Sequence, residues 1–272
     1  MKRSSNAKGL LDRILKPRAP VAASAEAVEY LTVPADTTFF HITHWKAGSQ
    51  WMQVILDDLF GPLIIPAQYF ELQVLGKPIE SGKLYTCVYL GKPEFDSLAF
   101  GGKHRQFVLV RDLRDTLISS YFSFRNSHAL SNTMMEKFRY VLTKVSTEEG
   151  IMYMMETWLG SCADIQRTWA RSGERCYRLE DFMNSDSSHL RQLLESSFGI
   201  SIDEARLKAV VAARSFEKLA GRKPGSEDLN SHYRKGVHGD WQNHFTPAIK
   251  DRFKYLFNDA LVQTGYEKDA NW

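Results

Sequence analysis

Three clusters of residues in this chain have types and spacings suited to chemistry on an anion. The first is His44-Trp45-Lys46-Ala47-Gly48-Ser49-Gln50-Trp51, set between an apolar run and a helix-like one. Met52, Ile55, Leu56 and Leu59 recur at helical spacing, and Gly61-Pro62 ends the run. The first N–H groups of a helix have no intrahelical partners, so a strand–loop–helix favours an anion above the helix start. Lys46 adds a mobile positive charge and Ser49 a hydroxyl. In the phosphate loop of ATPases the Lys follows the second Gly; here Lys46 precedes Gly48, so the loop is of another kind. On its own the segment also reads as an ordinary turn carrying a surface Lys.

The second cluster follows Phe107-Val108-Leu109-Val110, a buried-strand pattern with Arg111 at its carboxyl end. Ligands of open α/β sheets bind beyond that end, and Arg grips phosphate bidentately where Lys cannot. Ser119 falls on the next predicted helix, placed to donate its hydroxyl to the same phosphate. The competing reading makes Arg111 a structural partner of Asp112 or Asp115. In the third cluster, Gly221-Arg222-Lys223-Pro224-Gly225 and then Ser231 to Phe245, basic residues interleave with Gly and aromatics without periodicity. That is a long ordered loop, and such loops tend to be functional. Arg234-Lys235-Gly236 supplies two cations and a backbone that a ligand can approach closely. The plainer reading is a solvated basic loop.

Together the clusters resemble the sulfotransferase family, in particular its cytosolic and bacterial small-molecule branch. That family's loop reads Tyr-Pro-Lys-Ser-Gly-Thr-Thr-Trp, and Lys46, Gly48 and Trp51 stand in register with its Lys, Gly and Trp. Its Arg-then-Ser pair matches Arg111 and Ser119. Its Arg-Lys-Gly-x-x-Gly-Asp-Trp-x-Asn signature is met in full from Arg234 to Asn243. The resemblance implies a P-loop-NTPase-like fold, a three-layer αβα sandwich around a mostly parallel sheet. It implies 3′-phosphoadenosine 5′-phosphosulfate (PAPS) as co-substrate, PAP as product, no metal, and a small-molecule acceptor bearing a hydroxyl or amine. By the same resemblance Lys46, Ala47, Gly48, Ser49, Gln50 and Trp51 hold the 5′-phosphosulfate. Arg111, Ser119, Arg234 and Lys235, with the backbone at Gly236, hold the 3′-phosphate. Trp51 borders the adenine and Phe216, beside Ser215, stacks on it, as aromatics hold a base without reading its edge. By pattern alone Phe216 is a core residue of an amphipathic helix. Sulfuryl transfer then runs in line, with Lys46 neutralising the leaving oxygen and Ser49 and loop N–H groups steadying the sulfuryl oxygens.

The chain departs from the pattern at the base. The small-molecule branch carries a His in Thr-His-x-Pro before the second cluster; here the stretch is Val88-Tyr89-Leu90-Gly91-Lys92-Pro93. Counting from the Pro puts Gly91 at the His position, and counting from Arg111 puts Tyr89 there. Other branches use a Glu soon after the first helix, which makes Glu71 the candidate base, flanked by apolar residues that would raise its pKa. His104 and His128 are its rivals. The missing His also admits an alternative, a non-catalytic PAPS- or PAP-binding relative. The family's Tyr-Glu-Asp appears as Leu179-Glu180-Asp181, so a Tyr contact is lost, and Pro247 weakens the family's dimer motif, which implies a monomer or weak homodimer.

The elements that must position these residues alternate. Strands are predicted at 39–43, 84–90, 107–110 and 176–179, and helices near 51–59, 113–124, 151–170, 188–198, 203–219 and 247–261. Residues 1–30 read as a basic, flexible tail and 31–272 as a single domain. At 272 residues, 43% hydrophobic and 25% charged, the chain is an ordinary globule able to bury a full core. A net charge of +3 is too slight to argue for nucleic acid, no apolar run approaches a membrane span, and three scattered Cys suit a reducing compartment, so a cytoplasmic location is expected. The acceptor pocket is expected from Ile64–Pro78, Lys92–Gly102 and Arg125–Tyr153, the last rich in Met and aromatics, although a plain helical core explains such residues equally well.

Overall fold

A computed structural model describes residues 29–65, 67, 74–183 and 187–272. Nearly all of the basic stretch 1–30, and Glu71 with its neighbours, lie outside the described residues. One sheet of five strands runs through the centre in the order β2-β3-β1-β4-β5. The strands are β1 (Thr37–Thr43), β2 (Ile64–Ile65), β3 (Leu84–Val88), β4 (Lys103–Val110) and β5 (Cys176–Arg178), and every described pairing is parallel. The helices are α1 (Ser49–Phe60), α2 (Lys92–Asp96), α3 (Leu113–Phe122), α4 (Thr133–Leu142), α5 (Thr147–Thr157) and α6 (Leu159–Arg171). They continue with α7 (Leu179–Phe182), α8 (Ser187–Leu193), α9 (Glu204–Ala213), α10 (Phe216–Ala220) and α11 (Pro247–Gln263).

Both faces of the sheet are covered, so its strands are apolar without alternation, as parallel sheets require. On one face Phe39, Phe107 and Leu109 pack under Met52, Ile55, Leu56 and Leu59 of α1. On the other, Phe40, Ile42, Val108 and Val110 meet Trp169 of α6. A helical layer of α3, α4, α5, α6 and α11 builds a further core around Tyr121, Phe138 and Phe253. This is the expected three-layer αβα arrangement.

The predicted run 151–170 is two helices. It starts earlier because Ser146 and Glu149 form a reciprocal capping box, and it breaks at Trp158 (φ −131°), whose indole packs 5.3 Å from the Phe124 ring. The run 203–219 divides where Ser215 caps α10. Helix α4 was not legible as a separate element; Asn132 caps it, and it buries Met135, Phe138 and Leu142. Met154 and Met155 are likewise core, while Met134 and Tyr140 are exposed. The Met-rich segment is therefore mainly helical core rather than pocket wall.

Strand β1 has β3 on one side and β4 on the other. The carboxyl ends of these three strands frame the crevice where open α/β sheets place their ligands. β1 leads to Lys46, β4 to Arg111 and β3 to Tyr89.

Candidate active site

The loop after β1 takes two left-handed steps, at Lys46 (φ +66°) and Gly48 (φ +74°). A side chain at 48 would be strained there and would also meet Leu179, whose Cδ1 lies 2.6 Å from where a Cβ would stand. Leu179, at the family's Tyr position, thus covers the loop. The left-handed turn delivers the chain into α1, whose first bond runs from the Met52 amide to the Gly48 carbonyl at 2.9 Å. The N–H groups of Ser49, Gln50 and Trp51 are consequently left at the open helix start. The Ala47 amide instead donates to the His44 carbonyl at 3.3 Å, and its side chain is fully buried.

Arg111 clamps this loop from the end of β4. Its amide donates to His44 Nε2 at 3.2 Å and its Nη1 to the Lys46 carbonyl at 3.0 Å. His44 is buried, which lowers its pKa to about 4 and keeps it neutral, with Nδ1 donating to the Trp45 carbonyl at 2.9 Å. The reading that pairs Arg111 with a neighbouring Asp does not hold. Asp112 binds Arg114 at 2.7 Å and caps α3, and Asp115 accepts the amides of Gly239 and Trp241 at 2.6 and 3.0 Å. Arg111 makes no ion pair among the described residues, and its buried Nε has no partner. A buried donor of that kind suits an anionic ligand. Ser119, on α3, is half-buried.

The signature loop is organised by Asp240, whose role the motif alone does not reveal. Its carboxylate is buried and takes bonds from Arg234 and Lys235, from Asn243 Nδ2 at 3.0 Å and from His244 Nε2 at 3.3 Å. Burial works against its charge, yet the Lys235 and Arg234 bonds outweigh it and hold the carboxyl well below the usual range. Arg234 also pairs with Glu227 and lies over the Phe122 ring at 4.5 Å. Asp115 then ties the loop to α3. Removing the Asp240 charge takes the carboxylate from Lys235 and leaves Arg234 with Glu227 alone, so Asp240→Asn is expected to destabilise the fold by roughly 2–4 kcal/mol. Added PAP is expected to raise its Tm more than it raises that of wild type, because a phosphate replaces the lost carboxylate. Equal increments in differential scanning fluorimetry would show that the loop does not face the phosphate.

Gly236 (φ +67°) is held against the Phe216 ring, with ring carbons 2.4 Å from a hypothetical Cβ. Arg222 lies over the same ring at 5.4 Å. Phe216 is half-buried, so the reading of it as a core residue fails. Ser215 spends its hydroxyl capping α10 through the Lys218 amide. Trp51 is also half-buried, and its indole N–H donates to the Arg214 carbonyl at 2.8 Å, which sets it beside Ser215 and Phe216. Arg214 is fixed in turn by Asp58 of α1 at 2.6 Å.

Lys46 is half-buried and makes no ion pair among the described residues. Burial first, then the charges of Arg111 and Arg234, lower its pKa to about 8. Below that pH the crevice holds a concentrated positive charge, and above it Lys46 loses its own. The kcat/KM for a donor that needs this charge should therefore fall as pH rises through about 8. The limb should move upward in kcat, where bound anion restabilises the ammonium. A pH–rate series on wild type and Lys46→Arg checks this, the Arg variant being expected to lack the limb.

Two histidines also feel Lys46. Burial and then Lys46 lower His128 to about 4; His232 is exposed, and crowding by protein, with Lys46 and His128, lowers its pKa as well. His232 was not singled out by sequence, where it is one more ring in a basic loop. His104 stacks on Phe100 at 3.9 Å near the amino end of β4, roughly 20 Å from the carboxyl end at ~3.3 Å per residue, too far for the base. Among the described residues no group of three or more His, Cys, Asp or Glu could hold a metal ion.

A parallel sheet whose central strand opens into an anion loop, with an Arg at the end of the neighbouring strand, is the architecture in which open α/β proteins bind phosphate-bearing ligands. Comparisons with known proteins narrow the class. The sulfotransferase domain model matches residues 99–265. Human sulfotransferase 1C2 is 27% identical over 260 residues, covering 82% of this chain and 82% of that protein. Rat sulfotransferase 2B1 is 24% identical over 258 residues, covering 83% of this chain and 71% of that protein. Among solved structures, mouse sulfotransferase SULT7A1 complexed with PAP superposes with a TM-score of 0.62 at 17% identity, over 86% of this chain and 88% of that one. A retinol dehydratase in complex with retinol and PAP gives 0.53 at 14% identity, over 85% and 83%. The chain belongs to the sulfotransferase family. It is a PAPS-dependent sulfotransferase.

Proposed function

We propose that this chain moves the sulfuryl group of PAPS onto a hydroxyl or amine of a small-molecule acceptor, using the residues gathered at the ends of β3, β1 and β4. The observation that carries the reading is the convergence of Lys46, Arg111 and Arg234 on one crevice, where Lys46 has its charge opposed by the other two. A ligand with phosphates at both ends of a nucleoside relieves that repulsion. Its 5′-phosphosulfate meets Lys46 and the amides of Ser49, Gln50 and Trp51. Its 3′-phosphate meets Arg111 and Ser119, with Arg234, Lys235 and the Gly236 backbone on the opposite wall. The adenine lies by Trp51 and Phe216, beside Ser215.

The bond to sulfur breaks as charge grows on the bridging oxygen, and Lys46 is placed to neutralise it. The acceptor enters from the β3 side. A cavity of about 110 Å³ is lined there, among the described residues, by Ile65, Val74, Ile79, Thr86, Cys87 and Val88 together with neighbouring side chains. Sulfotransferase relatives and a structural neighbour that holds retinol support a small organic acceptor. Radiolabelled PAPS offered with phenols, aliphatic alcohols and amines tests the reading. Label should pass to at least one class. Tight PAP binding with no transfer to any class would instead favour a binding-only relative.

A further inference from the structure

With the family His absent, the structure offers another group at the reacting centre. The Tyr89 hydroxyl lies 3.0 Å from Ser49 Oγ, and both residues are buried. Ser49 opens α1 directly beside Lys46 and Gly48, so Tyr89 reaches the anion loop from the acceptor side. Three features fix it there. Its ring stacks on Trp45 at 4.8 Å and 28°. β3 carries a register shift against β1, with Phe40 opposite Tyr85 but Ile42 opposite Val88, so one extra residue is inserted just before Tyr89. Cys87 at the shift takes φ +55°, a conformation unusual for a non-Gly residue, and its thiol donates toward the Ser49 carbonyl at 3.4 Å and Gln53 Oε1 at 3.5 Å. Bulges of this kind re-aim side chains next to active sites. Here the bulge is bonded to the helix that carries Ser49.

We propose that Tyr89 and Ser49 form a hydroxyl relay that removes the acceptor's proton and replaces the missing His. The proposal rests on the sulfotransferase reading above. As the acceptor oxygen bonds to sulfur and the sulfur–oxygen bond to the 5′-phosphate breaks, the acceptor proton passes to Tyr89 Oη. The Tyr89 proton passes to Ser49 Oγ, and the Ser49 proton passes to the phosphate oxygen released from sulfur. Tyr89 and Ser49 end as neutral hydroxyls, and no further reactant is consumed. Lys46 and the helix start lower the energy of the oxygen that finally accepts the proton.

A relay matters for an acceptor that must lose a proton and hardly for one already ionised. The test compares an aliphatic alcohol with 4-nitrophenolate in wild type, Tyr89→Phe, Ser49→Ala and the double variant, with thermal melts and PAP calorimetry on each. Tyr89→Phe is expected to lose ~30-fold or more on the alcohol relative to 4-nitrophenolate, within the span usual for positioned proton transfer. The double variant is expected to lose little more than either single one, because each breaks the same chain. Equal losses on both acceptors with a lowered Tm would make Tyr89 structural and overturn the proposal. So would additive losses, or an alcohol-selective loss in Glu71→Gln or His128→Ala that Tyr89→Phe lacks. Wild-type protein that binds PAP and transfers to no phenol, aliphatic alcohol or amine would sink the sulfotransferase reading and the relay with it, whereas an active, unselective Tyr89→Phe sinks the relay alone.

Discussion

Lys46→Ala is expected to lower kcat by ~10²–10³-fold, the usual loss on removing one preorganised stabiliser of transition-state charge. Affinity for PAP should fall by less than ~10-fold, because the interaction strengthens mainly as the bridging oxygen gains charge. The free protein also gains from the substitution, since Arg111 and Arg234 both oppose the Lys46 charge. That gain offsets part of any improvement the nucleotide would otherwise make by neutralising the cluster. Steady-state turnover with saturating PAPS, set beside calorimetric PAP titration, separates the two quantities. A kcat within about threefold of wild type, under ~1 kcal/mol, would remove Lys46 from the chemical step.

Arg111→Ala and Arg234→Ala are expected to cost about 1.5–3 kcal/mol in affinity for nucleotides that bear a 3′-phosphate, and little for those that lack it. The two substitutions should differ in their side effects. Arg111 also bonds the Lys46 carbonyl, so its loss loosens the loop and should lower kcat as well. Arg234 is bound by Asp240 and Glu227, so its loss leaves two carboxylates short of a partner and should lower Tm. Titrations of each variant with PAP and with adenosine 5′-phosphate read the selectivity directly. Unchanged preference for the 3′-phosphate, with only Tm reduced, would make both residues structural.

Much of this site was legible because its residues are held by local rules. The loop at 46–51 follows from a strand ending and a helix beginning, and Gly48 from the left-handed turn between them. Arg111 follows from its place at the end of an apolar strand. Trp51, Phe216 and Gly236 lie close together, held by the Arg214 carbonyl and by the close approach of Gly236 to the Phe216 ring. The unread parts depend on long-range placement. Nothing local marks Asp240 as the carboxylate that gathers Arg234 and Lys235, or Asp115 as the tie to that loop from a helix more than a hundred positions earlier. By sequence Tyr89 stands only as the occupant of a vacated His position, because an inserted residue in β3 cannot be seen without the pairing partner. The helix break at Trp158 has no Pro to announce it, and Gly160, two residues on, falls inside the following helix; α4 was hidden by the many exposed residues of a one-sided helix.

The central claim is that the ends of β1 and β4 hold the two phosphate groups of one nucleotide. A crystal structure of the protein with PAP tests it most directly. The account predicts the 5′-phosphate within hydrogen-bonding distance of Lys46 and the Ser49, Gln50 and Trp51 amides, the 3′-phosphate on Arg111 and Ser119, and the adenine against Phe216. PAP bound with its ends exchanged, or seated in the separate cavity of about 310 Å³ between Arg178 and Gly265 at the β5 edge, would contradict it.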